Sequence, residues 1–186
     1  MTGVSRPLMR QVTAVAAVAG CAASGSIAWV AHADDANYAP PCPAEKLATS
    51  ADPAEAAAGH RGVTLTFTLV ADADACTLTG YPQVHTGAGG PPVQAEPTLR
   101  GYMGGLPAGT ETPPTVTLMP SQQARAVVEG MATDGTGKPC PTYTELLVAP
   151  PNSTATVTLP VSIEACQLQV HPVSETAAGT GRLPSR

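Results

Sequence analysis

The clearest pattern in the chain is an alternation of apolar residues and threonines between Gly62 and Leu69. Successive side chains of a β-strand point to opposite faces, so this segment would have one apolar face and one polar face. The apolar face carries Val63, Leu65, Phe67 and Leu69. The alternation therefore predicts a strand whose apolar face lies in the core.

Shorter strand patterns follow along the rest of the chain, with turn residues between them. They are Cys76 to Leu78, Gln83 to Thr86, Thr115 to Leu118, Ala124 to Glu129, Thr144 to Val148, Ala155 to Leu159 and Gln167 to His171. Several short strands separated by turns are typical of an antiparallel β-sandwich, and we predict an all-β, immunoglobulin-like fold.

Three segments outside these strands have other compositions. Residues 34–61 are rich in Ala and Pro and predict a linker, with one or two helical turns between Asp52 and Gly59. A Gly- and Pro-rich loop runs from Gly87 to Pro114, too long for an ordinary hairpin connection. Residues 174–186 show no apolar pattern and predict a disordered tail, which leaves residues 62–173 as the domain.

The first 33 residues predict a signal peptide, because Arg6 and Arg10 precede a long uncharged, apolar stretch. Ala31-His32-Ala33 fits a small-x-small cleavage site, and release after Ala33 is the favoured outcome. The alternative is a lipobox, Val18-Ala19-Gly20-Cys21, in which Cys21 would carry a lipid anchor. The sequence thus predicts a secreted or envelope protein that meets the membrane only if Cys21 is lipidated.

Charge is sparse and net negative. Charged residues make up 12% of the chain, and loss of Arg6 and Arg10 would take the formal charge from −5 to −7. No basic block is present to bind phosphates, so nucleic acid and anionic lipid surfaces are excluded as partners.

Four cysteines remain beyond the leader: Cys42, Cys76, Cys140 and Cys166. An even number in an exported chain predicts two disulfides, with three pairings open. We favour the sequential pairing, Cys42 with Cys76 and Cys140 with Cys166. Zinc is the rival interpretation, but no two of these cysteines have a C-x-x-C-type spacing, and we expect no metal and no cofactor.

The most distinctive segment of the mature chain runs from Cys76 to Val84, Cys-Thr-Leu-Thr-Gly-Tyr-Pro-Gln-Val. It resembles the Cys-x-Leu-x-Gly-Tyr-Pro pattern of a family of actinobacterial exported and lipoprotein domains of unknown function. The resemblance implies a compact β-sandwich with two disulfides and brings no catalytic residue. This chain departs from the pattern in two turns: Ala71 to Ala75 lacks the usual Asn, and Pro120-Ser121 replaces the usual Pro-Gly.

No catalytic motif is present. The histidines of the mature chain, His60, His85 and His171, are isolated in sequence, and a His85–His171 pair would still need a third metal ligand. Asp72 and Asp74 fit a solvated turn, because the glycine and the later acid of a calcium loop are missing. The sequence therefore predicts a protein without catalytic residues.

One part of the long loop has the composition of a contact surface. Arg100, Tyr102, Met103 and Leu106 place a cation beside apolar groups that are expected to be exposed. We predict an exported, monomeric, non-enzymatic domain with a binding or structural role at the cell envelope or outside the cell. Its partner would be an envelope component or a protein that the sequence does not identify. The alternative is a small secreted hydrolase, which a pocket holding a histidine with a carboxylate would favour.

Overall fold

A computed structural model describes residues 39–175, which form one short 3₁₀ turn and twelve β-strands. The predicted signal peptide, Cys21 and residues 176–186 of the predicted tail lie outside the described residues. The first two residues of that tail, Ser174 and Glu175, are not disordered, because they form a short strand paired with Arg125 and Ala124. The 3₁₀ turn spans Ala44–Lys46, and the strands are β1 Leu47–Ala51, β2 Glu55–Ala57, β3 His60–Leu69, β4 Cys76–Thr79, β5 Gln83–Thr86, β6 Ala95–Pro97, β7 Thr115–Leu118, β8 Gln123–Met131, β9 Thr142–Ala149, β10 Val157–Glu164, β11 Leu168–Val170 and β12 Ser174–Glu175.

The strands form three sheets. The largest has the order β1-β3-β8-β11-β6, with β2 added to β3 and β12 added to β8. A second sheet has the order β10-β9-β5, and β4 pairs with β7 in a third. Within residues 39–175 the strand pairs are antiparallel except β11 with β6, which run parallel. The predicted all-β class is confirmed, as sheets packed on one another around a single core.

The core contains the apolar face that the alternation in β3 predicts. Val63, Leu65 and Phe67 have no exposed surface, whereas Leu69, near the strand end, is only half buried. The other sheets contribute Leu78, Val84, Val116, Leu118, Tyr143, Leu146, Val148 and Ile163. Burial of these side chains is the main force that holds the sheets together, at about 1.5–3 kcal/mol for each large side chain.

Two disulfides brace the domain, and they have the predicted sequential pairing. Cys42 bonds to Cys76, which ties the segment before β1 to β4. Cys140 bonds to Cys166, which joins the segment just before β9 to the segment just after β10. In the chain-entropy model each cross-link of this size stabilises the fold by roughly 3–4 kcal/mol. Stable disulfides are typical of oxidising compartments outside the cytosol.

The strand predictions hold for the segments with clear alternation, and two match the structure residue for residue: Gln83–Thr86 and Thr115–Leu118. The prediction of helical turns between Asp52 and Gly59 is wrong, since β2 lies there and pairs with the start of β3. Likewise β1 belongs to the sheet rather than to a linker. Both segments adopt extended structure because β3 offers them backbone hydrogen bonds, which outweighs the weak helix preference of a few alanines.

The Gly80-Tyr81-Pro82 segment forms a bend after β4. Gly80 has a φ of +96°, a conformation that other residues resist. Its carbonyl accepts a hydrogen bond from the backbone N–H of Val173 at 2.9 Å, and Pro82 is buried. This hydrogen bond therefore joins the bend after β4 to the segment that follows β11. No helix within residues 39–175 is long and apolar enough to cross a bilayer.

The turn at Met119–Gln122 contains a strained residue that substitution can relieve. Gln122 N–H donates to the Met119 carbonyl at 3.0 Å, and Ser121, third in the turn, has a φ of +72°. Glycine is favoured at this place in a type II turn, and a left-handed residue with a Cβ costs roughly 1–2 kcal/mol. We expect Ser121→Gly to raise the free energy of unfolding by roughly 0.5–1 kcal/mol, because relief of strain exceeds the added chain entropy.

Chemical denaturation would measure this effect, with Ser121→Ala as the matched control. Alanine removes the hydroxyl but keeps the Cβ, so the control should not be stabilised. Equal stabilisation by both substitutions would show that the hydroxyl, rather than the backbone strain, is unfavourable.

Candidate functional site

A buried carboxylate lies on the outer face of the large sheet, at Glu129 of β8. The strand register places it between Gly62 of β3 and Gln169 of β11, and its side chain is only 5% exposed. In β8 the alternation of buried and exposed residues ends here, because Val128, Glu129 and Gly130 are all buried. Both faces of the sheet are therefore covered at this point.

The cover on the outer face is residues 99–106, which we call the Tyr102 loop. Glycines allow its backbone to approach the sheet closely. A Cβ on Gly101 would lie 2.2 Å from Oε2 of Glu129, and one on Gly104 would lie 2.7 Å from Cβ of Val127. Side chains at these two positions would lift the loop away from the sheet.

Four hydrogen bonds converge on the Glu129 carboxylate, two on each oxygen. Oε1 accepts from the backbone N–H of Tyr102 at 3.2 Å and lies 2.5 Å from Nδ1 of His60. Oε2 accepts from the backbone N–H of Met103 at 3.0 Å and lies 3.2 Å from Nε2 of His171. One side chain thus joins the loop to two histidines from distant parts of the chain.

His171 is the buried partner, with 1% of its surface exposed. Its Nδ1 lies 3.1 Å from both the hydroxyl and the carbonyl oxygen of Thr98. The neutral ring can accept from the hydroxyl, and the protonated ring can donate to the carbonyl. Thr98 N–H in turn donates to the carbonyl of Val170 at 2.9 Å, so the start of the loop is attached to the end of β11.

His60 is the outer partner and is about a quarter exposed. Its imidazole stacks on the Tyr102 ring, with centroids 4.5 Å apart and planes inclined by 20°. Stacked aromatic pairs of this kind contribute about 0.5–1.5 kcal/mol beyond the area they bury. The Tyr102 backbone and its ring are therefore held by two neighbouring side chains.

The loop also closes on itself through backbone hydrogen bonds, from Gly101 N–H to the Gly104 carbonyl at 2.9 Å and from Leu106 N–H to the Leu99 carbonyl at 2.8 Å. The Arg100 guanidinium donates to the carbonyls of Pro107 and Thr110 and to the Glu111 carboxylate. Arg100 therefore fixes the next part of the chain.

The predicted contact residues differ in their exposure and in their contacts. Tyr102 is 62% exposed, Met103 is half buried and contacts Gly62, and Arg100 bonds within the chain. The expectation that Leu106 is exposed is wrong, because it is 8% exposed and faces inward. Tyr102 is the large exposed apolar group of the loop.

Sequence reasoning missed Glu129, His60 and His171 as a group. His85, by contrast, lies on β5 and forms a β-bridge with Gln94. The His171 ring contacts Glu129 rather than the suggested partner His85. The available signal was a glutamate inside an apolar strand, Val127-Val128-Glu129-Gly130, because a charge in such a run needs partners. Within residues 39–175, no three His, Cys, Asp or Glu side chains are placed to hold a metal ion.

The pKa of the Glu129 carboxyl lies below its ordinary value of 4.5. Burial raises this pKa, but the hydrogen bonds from Met103, His171, His60 and Tyr102 together outweigh burial. The carboxylate therefore stays ionised, and an acceptor-only group faces four donors.

A histidine oriented by a buried carboxylate is half of the arrangement that many hydrolases use. The other half is not assembled at an accessible position. The Thr98 hydroxyl lies 3.1 Å from Nδ1 of His171, but His171 is only 1% exposed. In the described part of the chain, no hydroxyl or thiol is hydrogen-bonded to the more exposed His60. A cavity of about 480 Å³ lies elsewhere, between β1, β2 and β10, and is lined in part by the Arg61–Glu164 ion pair. The cluster around Glu129 is therefore arranged to hold the loop.

Comparison with known proteins identifies one family. Residues 42–179 match a family described as a domain of unknown function, DUF4232. The match covers well over half of the chain. No curated protein and no solved structure matches.

Substitution of Gly101 tests how closely the loop must approach Glu129. We expect Gly101→Ala to lower the free energy of unfolding by about 1–3 kcal/mol, because the new Cβ overlaps Oε2 of Glu129 and forces the loop outward. Gly135→Ala is the matched control, since a Cβ there has no atom within 4 Å and should change stability by less than about 0.5 kcal/mol. Thermal unfolding would compare the two, and equal effects would contradict close packing of the loop.

Replacement of Glu129 by glutamine tests the charge. An amide would turn an NH₂ group toward two donors, so we expect Glu129→Gln to cost about 1–3 kcal/mol at neutral pH. Because the folded pKa is lowered, the contribution of the carboxylate is fully present above about pH 4.5 and is lost as pH falls through the folded pKa. The stability difference between wild type and variant should therefore shrink in acid.

Urea denaturation at several pH values would measure this difference. The difference between wild type and variant is compared because two other carboxyl groups also titrate in acid. The pKa values of Glu164 and Asp134 are lowered by hydrogen bonds from Arg61 and Thr136 respectively. Both groups affect the two proteins alike, so their contribution cancels in the difference. A difference that stays constant between neutral and strongly acid pH would exclude the ionised carboxylate as the source of the stability.

Proposed function

We propose that this chain, which belongs to the DUF4232 family of domains of unknown function, is an exported, non-enzymatic domain that binds an envelope component through the Tyr102 loop. The observation that carries this proposal is the exposed Tyr102 ring, held in place by the buried Glu129 cluster.

A fixed, exposed aromatic side chain is well suited to binding. Tyrosine offers a large contact area with few rotatable bonds, and it is enriched in binding interfaces. Here its backbone N–H bonds to Glu129 and its ring stacks on His60, so little conformational freedom remains to be lost when a partner binds. Loops of this kind on rigid β scaffolds commonly carry binding function.

Two features support export: the leader and the pairing of the cysteines beyond it. The leader supplies charges and an apolar stretch in the order of a signal peptide, and the four cysteines beyond it are paired. We propose cleavage after Ala33 and release of the domain, with lipid attachment at Cys21 as the alternative. In either case Cys21 takes no part in bracing the domain.

A non-enzymatic role is supported by the use of Glu129. Both of its oxygens accept hydrogen bonds from the loop backbone, so the carboxylate would have to release the loop before it could serve another purpose. His60 has no neighbouring nucleophile among residues 39–175 that it could activate by hydrogen bonding. We further propose a monomer, because the other large exposed apolar residues, Val70, Met119 and Val157, belong to different segments.

Removal of the Tyr102 ring tests this function. We expect Tyr102→Ala to reduce retention of the mature protein on isolated cell-envelope material at least tenfold, since truncation of a central aromatic contact typically costs about 2 kcal/mol or more of binding. Sedimentation of the protein with that material would measure retention. The sheets should remain folded, which circular dichroism would show.

Met119→Ala is the matched control, because Met119 is 47% exposed on the turn after β7 and is not part of the loop. It should leave retention unchanged. Equal retention of wild type and Tyr102→Ala would contradict the proposed role of the loop.

A further inference from the structure

We infer that the partner of the Tyr102 loop is a neutral saccharide, one sugar ring of which stacks on the open face of Tyr102. This inference rests on the proposed function, because it names the chemistry of the partner bound at the same loop. It follows from the size of the exposed apolar surface, the fixed orientation of the ring and the charge of the chain.

The apolar surface that the loop offers is about the size of one ring. Tyr102 is 62% exposed, whereas Leu106 is 8% exposed and Met103 is half buried. A typical protein partner would cover roughly 800 Å² with several large anchors. A pyranose ring needs only a single aromatic face, so the available surface fits a sugar better than a protein.

The Tyr102 ring is also held in one orientation. One face of the ring lies on His60, so the exposed part includes the opposite face. Gly101 and Gly104 place no side chain on that face, because a Cβ at either position would point inward, against Glu129 or Val127. The open face is therefore available to stack on a ligand.

An aromatic face carries negative potential at its centre. The C–H bonds on one face of a pyranose carry small positive charges and lie roughly in a plane, so the two surfaces are complementary. The sugar hydroxyls lie around the edge of that plane and stay hydrated.

The charged side chains next to the loop are electrically balanced. Arg100 pairs with Glu111 at 3.2 Å, and their side chains are 35% and 74% exposed. This pair therefore adds no net charge near the loop. Since the mature chain carries a formal charge of about −7, a polyanion would be repelled, and a neutral sugar would not.

The test uses the whole mature protein, labelled with ¹⁵N, and three neutral probes: an N-acetylglucosamine hexamer, a mannose hexamer and neutral oligosaccharides released from envelope material. A single stacked ring predicts dissociation constants on the order of millimolar. At least one probe should shift the amide signals of Gly101, Tyr102 and Met103 and leave Gly135 unmoved. Tyr102→Ala should abolish these shifts, and Tyr102→Trp should preserve or strengthen them.

Retention on envelope material separates this inference from the proposed function. Retention that depends on Tyr102 and survives protease digestion and high salt supports a neutral saccharide. If retention depends on Tyr102 but is lost after protease digestion or in high salt, the loop binds a protein or a polyanion, and the inference fails while the proposed function stands. Absence of any shift with all three probes also overturns it. Retention that does not depend on Tyr102 overturns both.

Discussion

An ionised carboxylate buried within a sheet requires hydrogen-bond donors for both of its oxygens. This requirement determines how the Tyr102 loop packs on the outer face of the domain. Glu129 is 5% exposed and accepts hydrogen bonds from two histidines and two backbone N–H groups. Because loss of any one partner would leave a buried charge less well satisfied, the loop, His60 and His171 depend on each other. The Tyr102 loop, which has little core of its own, takes its conformation from this contact.

The sequence predicts the parts of the fold that depend on local pattern. Alternation in β3 identifies the central strand and its buried face, and the Gly80 bend is recognisable because a positive φ favours glycine. The pairing of the four cysteines also follows the sequential expectation. β1 and β2 are missed because their alanines and short polar residues show no strand preference, and they become strands only when β3 offers its edge.

The site could not be predicted in the same way, because its residues come from four separate parts of the chain. His60 begins β3, Thr98 and Tyr102 lie in the long loop, Glu129 is within β8, and His171 follows β11. No local spacing links them, and only the pairing of β3, β8 and β11 brings them together. Composition predicted the exposure of the Tyr102 side chain, which is 62% exposed, but gave no sign of the buried charge beneath the loop.

Amide hydrogen exchange directly tests whether Glu129 fixes the Tyr102 loop. The backbone N–H groups of Tyr102 and Met103 lie in a surface loop, and their acceptor is the Glu129 side chain. We predict that both amides exchange as slowly as the His171 N–H, which bonds to the Val127 carbonyl within the sheet region. Exchange of both amides at the rate of an unprotected loop would contradict it.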